Sequence, residues 1–252
     1  MLIEADNLGF YYKENKFCFR NLTFNLKENE TLAILGLNGQ GKSTLLANLI
    51  GILKPKEGSI KVNSSFSYLS QSLYLPFEYK VLDVVLMGRA SKISMFKIPS
   101  KKDFDIARKS LDMLGISKLE NENFSKLSGG QKQLVLFARA LCGQNKILFL
   151  DEPMSALDLK NQDKILSLIQ KLNNELKMSV IFTTHNPTQA FGVAHKTLIL
   201  YKDLSFKFGD TQEILSSQAQ EKLYEIQVKN IHFTHNNKKI LSSVPLFSAQ
   251  LA

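Results

Sequence analysis

The sequence predicts an α/β protein: a core with a parallel sheet, an antiparallel β subdomain at its N-terminal side, and an inserted α-helical subdomain. Three observations predict it. Short, nearly continuous apolar runs (residues 30–35, 146–150 and 179–183) have the composition of strands buried on both faces. Segments of helical apolar spacing separate them, and buried strands alternating with helices imply parallel pairing. The first thirty residues alternate apolar with polar instead, and between about Leu73 and Cys142 the pattern turns helical and more basic.

Taken in order, Leu2-Ile3-Glu4-Ala5 and Cys18 to Leu26 show the period of half-buried strands. The run Glu30 to Leu35 ends at Gly36, a glycine-rich turn follows, and Ser43 to Ile50 has helical spacing that stops at Gly51. In the insertion, Asp103 to Leu114 and Gln131 to Leu141 are the clearest amphipathic stretches. The core resumes with Lys146 to Leu150, a helix across Leu159 to Leu176, and Ser179 to Thr183. The tail after Gly209 is an amphipathic stretch followed by Ile231 to Lys239, and the sequence assigns this tail no role. The expected division is a main domain over 1–215, with the helical insertion at about 73–142, and a tail over 216–252.

A chain of 252 residues, 44% hydrophobic and 22% charged, can bury a core without disulfide or metal support, which excludes disorder as its dominant state. Cys18 and Cys142 stand far apart and read as small hydrophobes. The start MLIEADNLGF is acidic where a secretory signal is basic and then apolar, so a reducing cytosol is expected. No apolar run approaches the roughly 18–20 residues that span a bilayer. The net charge of +9 is spread along the chain without an aromatic-interleaved RNA motif, so it reads as solvated surface and no nucleic-acid partner is expected.

Three motifs carry chemistry. Gly36-Leu37-Asn38-Gly39-Gln40-Gly41-Lys42-Ser43-Thr44 fits G-x-x-x-x-G-K-[ST] and lies after a buried strand, opening a helix. Its glycines let backbone amides close around phosphate, Lys42 reaches the β- and γ-phosphates, and the Ser43 hydroxyl can ligate Mg²⁺. Ile147-Leu148-Phe149-Leu150-Asp151-Glu152 sets two carboxylates at the end of an apolar strand, a costly placement unless they have work there. Asp151 would hold Mg²⁺, and Glu152 would polarise the water that attacks the γ-phosphate; a surface turn, which Pro153 suits, is the competing reading. Leu127-Ser128-Gly129-Gly130-Gln131 makes a second anion nest at a helix start.

Phosphate loop, LSGGQ, an apolar strand ending in Asp-Glu, and Ser155-Ala156-Leu157-Asp158 together resemble the ATP-binding cassette (ABC) family of P-loop ATPases, from Leu2 to about Leu215. The resemblance implies ATP and Mg²⁺ as ligands and further roles for matching positions. Tyr12, with Tyr11 as a close competitor, matches the aromatic that stacks on adenine. Gln71 matches the glutamine that senses Mg²⁺ and water and faces the membrane partner. His185 matches the histidine that contacts the γ-phosphate, and Asp158 belongs to the nucleotide-binding set. Family members act as head-to-tail dimers, so Ser128, Gly129, Gly130 and Gln131 would serve a second copy's ATP.

The same resemblance implies the ATP-hydrolysing subunit of an importer, peripheral on the cytoplasmic face of the cell membrane. Its membrane spans would come from a separate polytopic permease, and a periplasmic or surface solute-binding protein would take part indirectly. The stretch from Leu75 to Arg89 resembles importers of iron chelates, haem and cobalamin, while Asn7 to Tyr12 and Phe206 to Asp210 lean towards the molybdate and tungstate branch. A permease helix is expected near Gln71 and the Leu75 to Arg89 stretch, with Leu75, Phe77 and Leu86 as anchors or as the insertion's own core. The competing function is a cytosolic ATPase without transport, as in iron–sulfur cluster assembly, which lacks that importer-like stretch.

Overall fold

The computed structural model describes residues 1–14, 16–70, 78–94, 97–155 and 157–251. The chain divides into two compact units, Met1–Asn63 with Ile169–Ala252, and Ser64–Leu168.

The first unit opens with β1 (Ile3–Lys13) and β2 (Lys16–Leu26), an antiparallel pair whose alternation buries Ile3, Ala5, Leu8 and Phe10 on one face. The next strand, β3 (Thr31–Leu35), is buried at every position, as its unbroken apolar run requires. It leads through the glycine-rich loop into α1 (Lys42–Leu49), and β4 (Glu57–Val62) then returns to pair with β1, giving the antiparallel order β2-β1-β4.

In the second unit, β5 (Phe66–Leu69) pairs in parallel with a later strand across an intervening helical region. That region holds α2 (Val81–Leu86), α3 (Lys101–Met113) and α4 (Gly129–Cys142), which pack on one another and bury Val81, Val84, Val85, Ala107, Leu111, Leu134 and Phe137. The partner of β5 is β6 (Ile147–Leu150), buried at all four positions. Next comes α5 (Leu159–Asn174), within which the division between the units falls.

Back in the first unit, β7 (Ser179–Thr184) runs parallel to β3, and α6 (Pro187–Val193) leads to β8 (Lys196–Leu200), also parallel to β3. The edge strand β9 (Phe206–Asp210) pairs antiparallel with β8. The remainder is α7 (Thr211–Ile214), α8 (Ser217–Tyr224), a hairpin of β10 (Gln227–His235) and β11 (Lys238–Leu246), and the short α9 (Ser248–Leu251). Asn236 and Asn237, at φ of 49° and 60°, make the hairpin's two-residue turn, a conformation in which asparagine is tolerated and whose twist matches the strands it joins.

Candidate functional site

In the first unit the phosphate loop forms where β3 ends. Gly39 and Gly41 sit at φ of 81° and 83°, a left-handed conformation that favours glycine. A Cβ on Gly41 would also come within 3.3 Å of the Cys18 Cβ and carbonyl, so Cys18 floors the loop. The Gln40 side-chain carbonyl accepts the Leu37 amide at 2.6 Å and braces the turn from within. Lys42 is only 4% exposed, and its Nζ donates to the carbonyls of Gly36 (2.9 Å) and Leu37 (3.1 Å). Carbonyl dipoles hold this buried ammonium at the mouth of α1, where the first-turn amides have no acceptor within the helix. Asn38, Gly39 and Ser43 are exposed there, and Thr44 is half-buried.

Neighbouring strand residues face opposite ways, and the two tyrosines of β1 separate accordingly. Tyr11 lies edge-on to Phe17 beneath the Lys56 ammonium. Tyr12 is 67% exposed, packs T-shaped with Phe10 at a ring separation of 5.1 Å, and brings its hydroxyl to 3.1 Å from the Thr44 hydroxyl. It lines a cleft of about 400 Å³ with Lys13, Lys16, Gly39, Gln40 and Lys202, a basic hollow beside the loop.

His185 belongs to the same unit. The β3–β7 register sets Leu35 opposite Thr184, and the Gly36 amide donates to the Thr184 carbonyl at 3.3 Å. Gly36 and His185 therefore leave the two parallel strands side by side, with the His185 side chain exposed.

In the second unit the acidic pair ends β6. Asp151 is buried, its amide donating to the Leu69 carbonyl at 3.0 Å. Glu152 adopts φ of 45°, an uncommon state for a residue with a side chain, and both the amide and hydroxyl of Ser155 donate to its carbonyl (3.2 and 3.0 Å). The turn thus imposes backbone strain on the carboxylate-bearing residue. Ser128 caps α4 reciprocally with Gln131: the Ser128 amide donates to Gln131 Oε1 (3.0 Å), and the Gln131 amide donates to Ser128 Oγ (3.4 Å). Gly129 and Gly130 fill the first two helical positions, and among the described residues outside its own turn of helix a Cβ on Gly129 would meet nothing within 4 Å. Neither a positive φ nor packing against those residues calls for glycine at 129. The Asp158 carboxylate accepts the Asn161 amide at 2.8 Å at the start of α5, and Ser128, Gly130, Gln131, Asp158 and Lys164 share a hollow of about 440 Å³.

The structure adds residues that motif reading missed. Gln133 of α4 donates to the Pro153 carbonyl (3.3 Å), tying the LSGGQ helix to the Asp-Glu turn, and Gln162 donates to the Leu157 carbonyl (2.8 Å), bracing the loop before Asp158. Their positions, five from Ser128 and four from Asp158, were the available signal. Gln71, Leu75 and Phe77 lie outside the described residues. Arg89, expected on a docking surface, is instead mostly buried: its guanidinium donates to Asp103 (2.9 Å), the Cys142 carbonyl (3.3 Å) and Gln144 (3.2 Å). Charge reversal there would disrupt the second unit rather than report on docking. Cys142 is buried and its thiol is pushed up to about 11 by desolvation, whereas Cys18 is only half-buried.

A phosphate loop after a buried parallel strand, with an acidic pair ending another strand and a glycine-rich helix start, defines a P-loop nucleotide-binding class. The sequence model of the ABC transporter family matches residues 19–155, and the chain belongs to this family. It is 45% identical over 240 residues to the molybdate import ATP-binding protein MolC of Haemophilus influenzae, covering 92% of this chain and 94% of that one. With a structure described as an inward-facing conformation of a metal-chelate-type ABC transporter it shares 43% identity and a TM-score of 0.93 over 98% of each chain. A dimeric bacterial ABC transporter cassette matches with a TM-score of 0.70 at 27% identity, over 79% of this chain and 94% of that one.

Proposed function

We propose that the chain is the ATP-hydrolysing subunit of an importer for a metal-containing solute, a molybdate-like oxyanion or a metal chelate, working as a head-to-tail dimer on a separate permease. One observation carries the dimeric mechanism: a single chain has two amide-lined helix starts suited to phosphate, and among the described residues no packing neighbour calls for the glycine at position 129 of the second. The import reading and solute class are supported by MolC and by the metal-chelate-type transporter. Both also weigh against a cytosolic cluster-assembly ATPase.

In this reading residues 1–215 form the ATPase domain with its insertion at about 73–142. Tyr12 stacks on adenine beside its basic cleft. Lys42, presented by the carbonyls of its own loop, exchanges them for the β- and γ-phosphates. Ser43 and Asp151, hard oxygen donors, are assigned the Mg²⁺. An ion of this kind is held by one or two protein oxygens together with substrate phosphates. When bound, that ion neutralises charge on the phosphates. Glu152 takes the proton of the attacking water, His185 contacts the γ-phosphate, and Gln71 senses the ion and water. From the second copy, Ser128, Gly129, Gly130 and Gln131 close on the same phosphates, joined by Asp158. A solute-binding protein outside the membrane would deliver the cargo.

No helix of the described residues is long and apolar enough to cross a membrane, so membrane attachment would come through the permease. The test is growth and solute uptake by a deletion strain under limiting molybdate, iron or cobalamin. A defect restored by the parent gene and not by Glu152→Gln is expected, and no defect in any condition would discard this solute class.

A further inference from the structure

The tail to which the sequence assigns no role reaches the loop that carries His185. His185 lies between the end of β7 and the start of α6, beyond the strand ladder. The backbone on either side of it is fixed by side chains: the Asn186 amide donates to Thr184 Oγ1 (3.0 Å), the Thr184 hydroxyl donates to Gln189 Oε1 (2.6 Å), and Asn186 Oδ1 caps α6 through the Thr188 amide (2.9 Å). The His185 carbonyl accepts the Tyr224 hydroxyl at 2.6 Å, from 39 residues further along the chain. That peptide plane cannot rotate without breaking this bond, and its rotation would swing the imidazole.

Tyr224 is itself held firmly. It occupies the last turn of α8, which Ser216 caps through the Ala219 amide (3.2 Å) and which ends where Glu225 turns left-handed at φ of 57°. Tyr201 donates to the Ala219 carbonyl (3.2 Å), Lys222 pairs with Asp203 (2.9 Å), and Gln220 bonds both the Leu215 carbonyl and Asn230 (2.9 Å each). Burial raises the Tyr224 hydroxyl far above its ordinary range, so it stays a neutral donor wherever ATP turnover is measured.

We infer that Tyr224 is a positioning residue for His185, so that α8 belongs to the ATPase machinery. The inference rests on the reading of His185 as the γ-phosphate contact. Tyr224→Phe in the full chain removes the hydroxyl and keeps the ring. The expected result is a fall of about five-fold in kcat with KM and ATP affinity unchanged, the scale of one lost hydrogen bond at a working group. Its spectroscopic partner is available because the chain has only four histidines, His185, His195, His232 and His235. In a histidine-labelled NMR spectrum the substitution should move the His185 signal and leave those of His232 and His235, in the hairpin, in place. Parental kcat in Tyr224→Phe, or an unmoved His185 signal, would overturn the inference while a loss of activity in His185→Ala left the histidine's own role standing. Full activity in His185→Ala would instead overturn the reading beneath it. Movement of His232 and His235 without His185 would assign Tyr224 to the tail's own packing, against the inference.

Discussion

Gly129→Ala separates what the fold needs from what a second molecule needs. At the first helical position of α4 the added methyl meets, among the described residues outside its own turn of helix, nothing within 4 Å, and the backbone is not left-handed. Alanine is better than glycine inside a helix by up to about 1 kcal/mol, which for a chain of this size raises Tm by roughly 2–4 °C at most. Stability should therefore hold or rise slightly. Function should move the other way, because each Cα–Cβ bond of a helix tilts towards its N-terminus, the side from which an anion approaches. A methyl there obstructs an amide-to-phosphate bond of about 1.5–3 kcal/mol, a loss of roughly ten- to hundred-fold in turnover. The assay is ATP turnover of the full chain beside its thermal unfolding and its nucleotide affinity as a monomer. Parental turnover in Gly129→Ala would refute the claim that a ligand supplied by another copy occupies this nest.

Glu152→Gln should keep ATP binding and lose most turnover, whereas Lys42→Ala should lose nucleotide affinity first; turnover and affinity measured on both check this, and a fully active Glu152→Gln would remove the assigned base. The Asp103 carboxyl is held down at about 2 by the Ser100 hydroxyl and amide and by the Arg89 guanidinium. A carboxyl depressed by folding contributes its full stability above its unfolded pKa, about 3.9, and loses it as pH falls towards 2. Asp103→Asn should thus be less stable at pH 5 but flatten the fall in Tm between pH 5 and pH 3, and parallel curves for variant and parent would contradict the assignment.

Much of the core was legible because its strands are buried on both faces. Composition alone marks Thr31 to Leu35, Ile147 to Leu150 and Ser179 to Thr184, and glycines and caps punctuate the helices between them. The LSGGQ helix announces its own start, since Ser128 and Gln131 at a spacing of three are the capping box the structure shows. Exposed strands were harder. Few positions of β10 are buried, so alternation is faint there, and Asn236-Asn237 marks the turn only weakly, without the glycine that usually signals such a hairpin. Period two separates the faces of Tyr11 and Tyr12 but not which face meets the loop; the hydroxyl contact with Thr44 supplies that. Arg89 and Tyr224 were illegible for a different reason. Their partners, Asp103 and the His185 carbonyl, lie 14 and 39 residues away, and only tertiary packing brings them together.

If ATP is held between the phosphate loop of one copy and the LSGGQ nest of another, sedimentation of the Glu152→Gln chain, in which ATP would persist unhydrolysed, will show it. The chain should be a monomer without nucleotide, a dimer holding two ATP at saturation, and a monomer that still binds ATP when Ser128→Arg is added. A Glu152→Gln chain that saturates with ATP yet stays monomeric, or a dimer indifferent to Ser128→Arg, would contradict it.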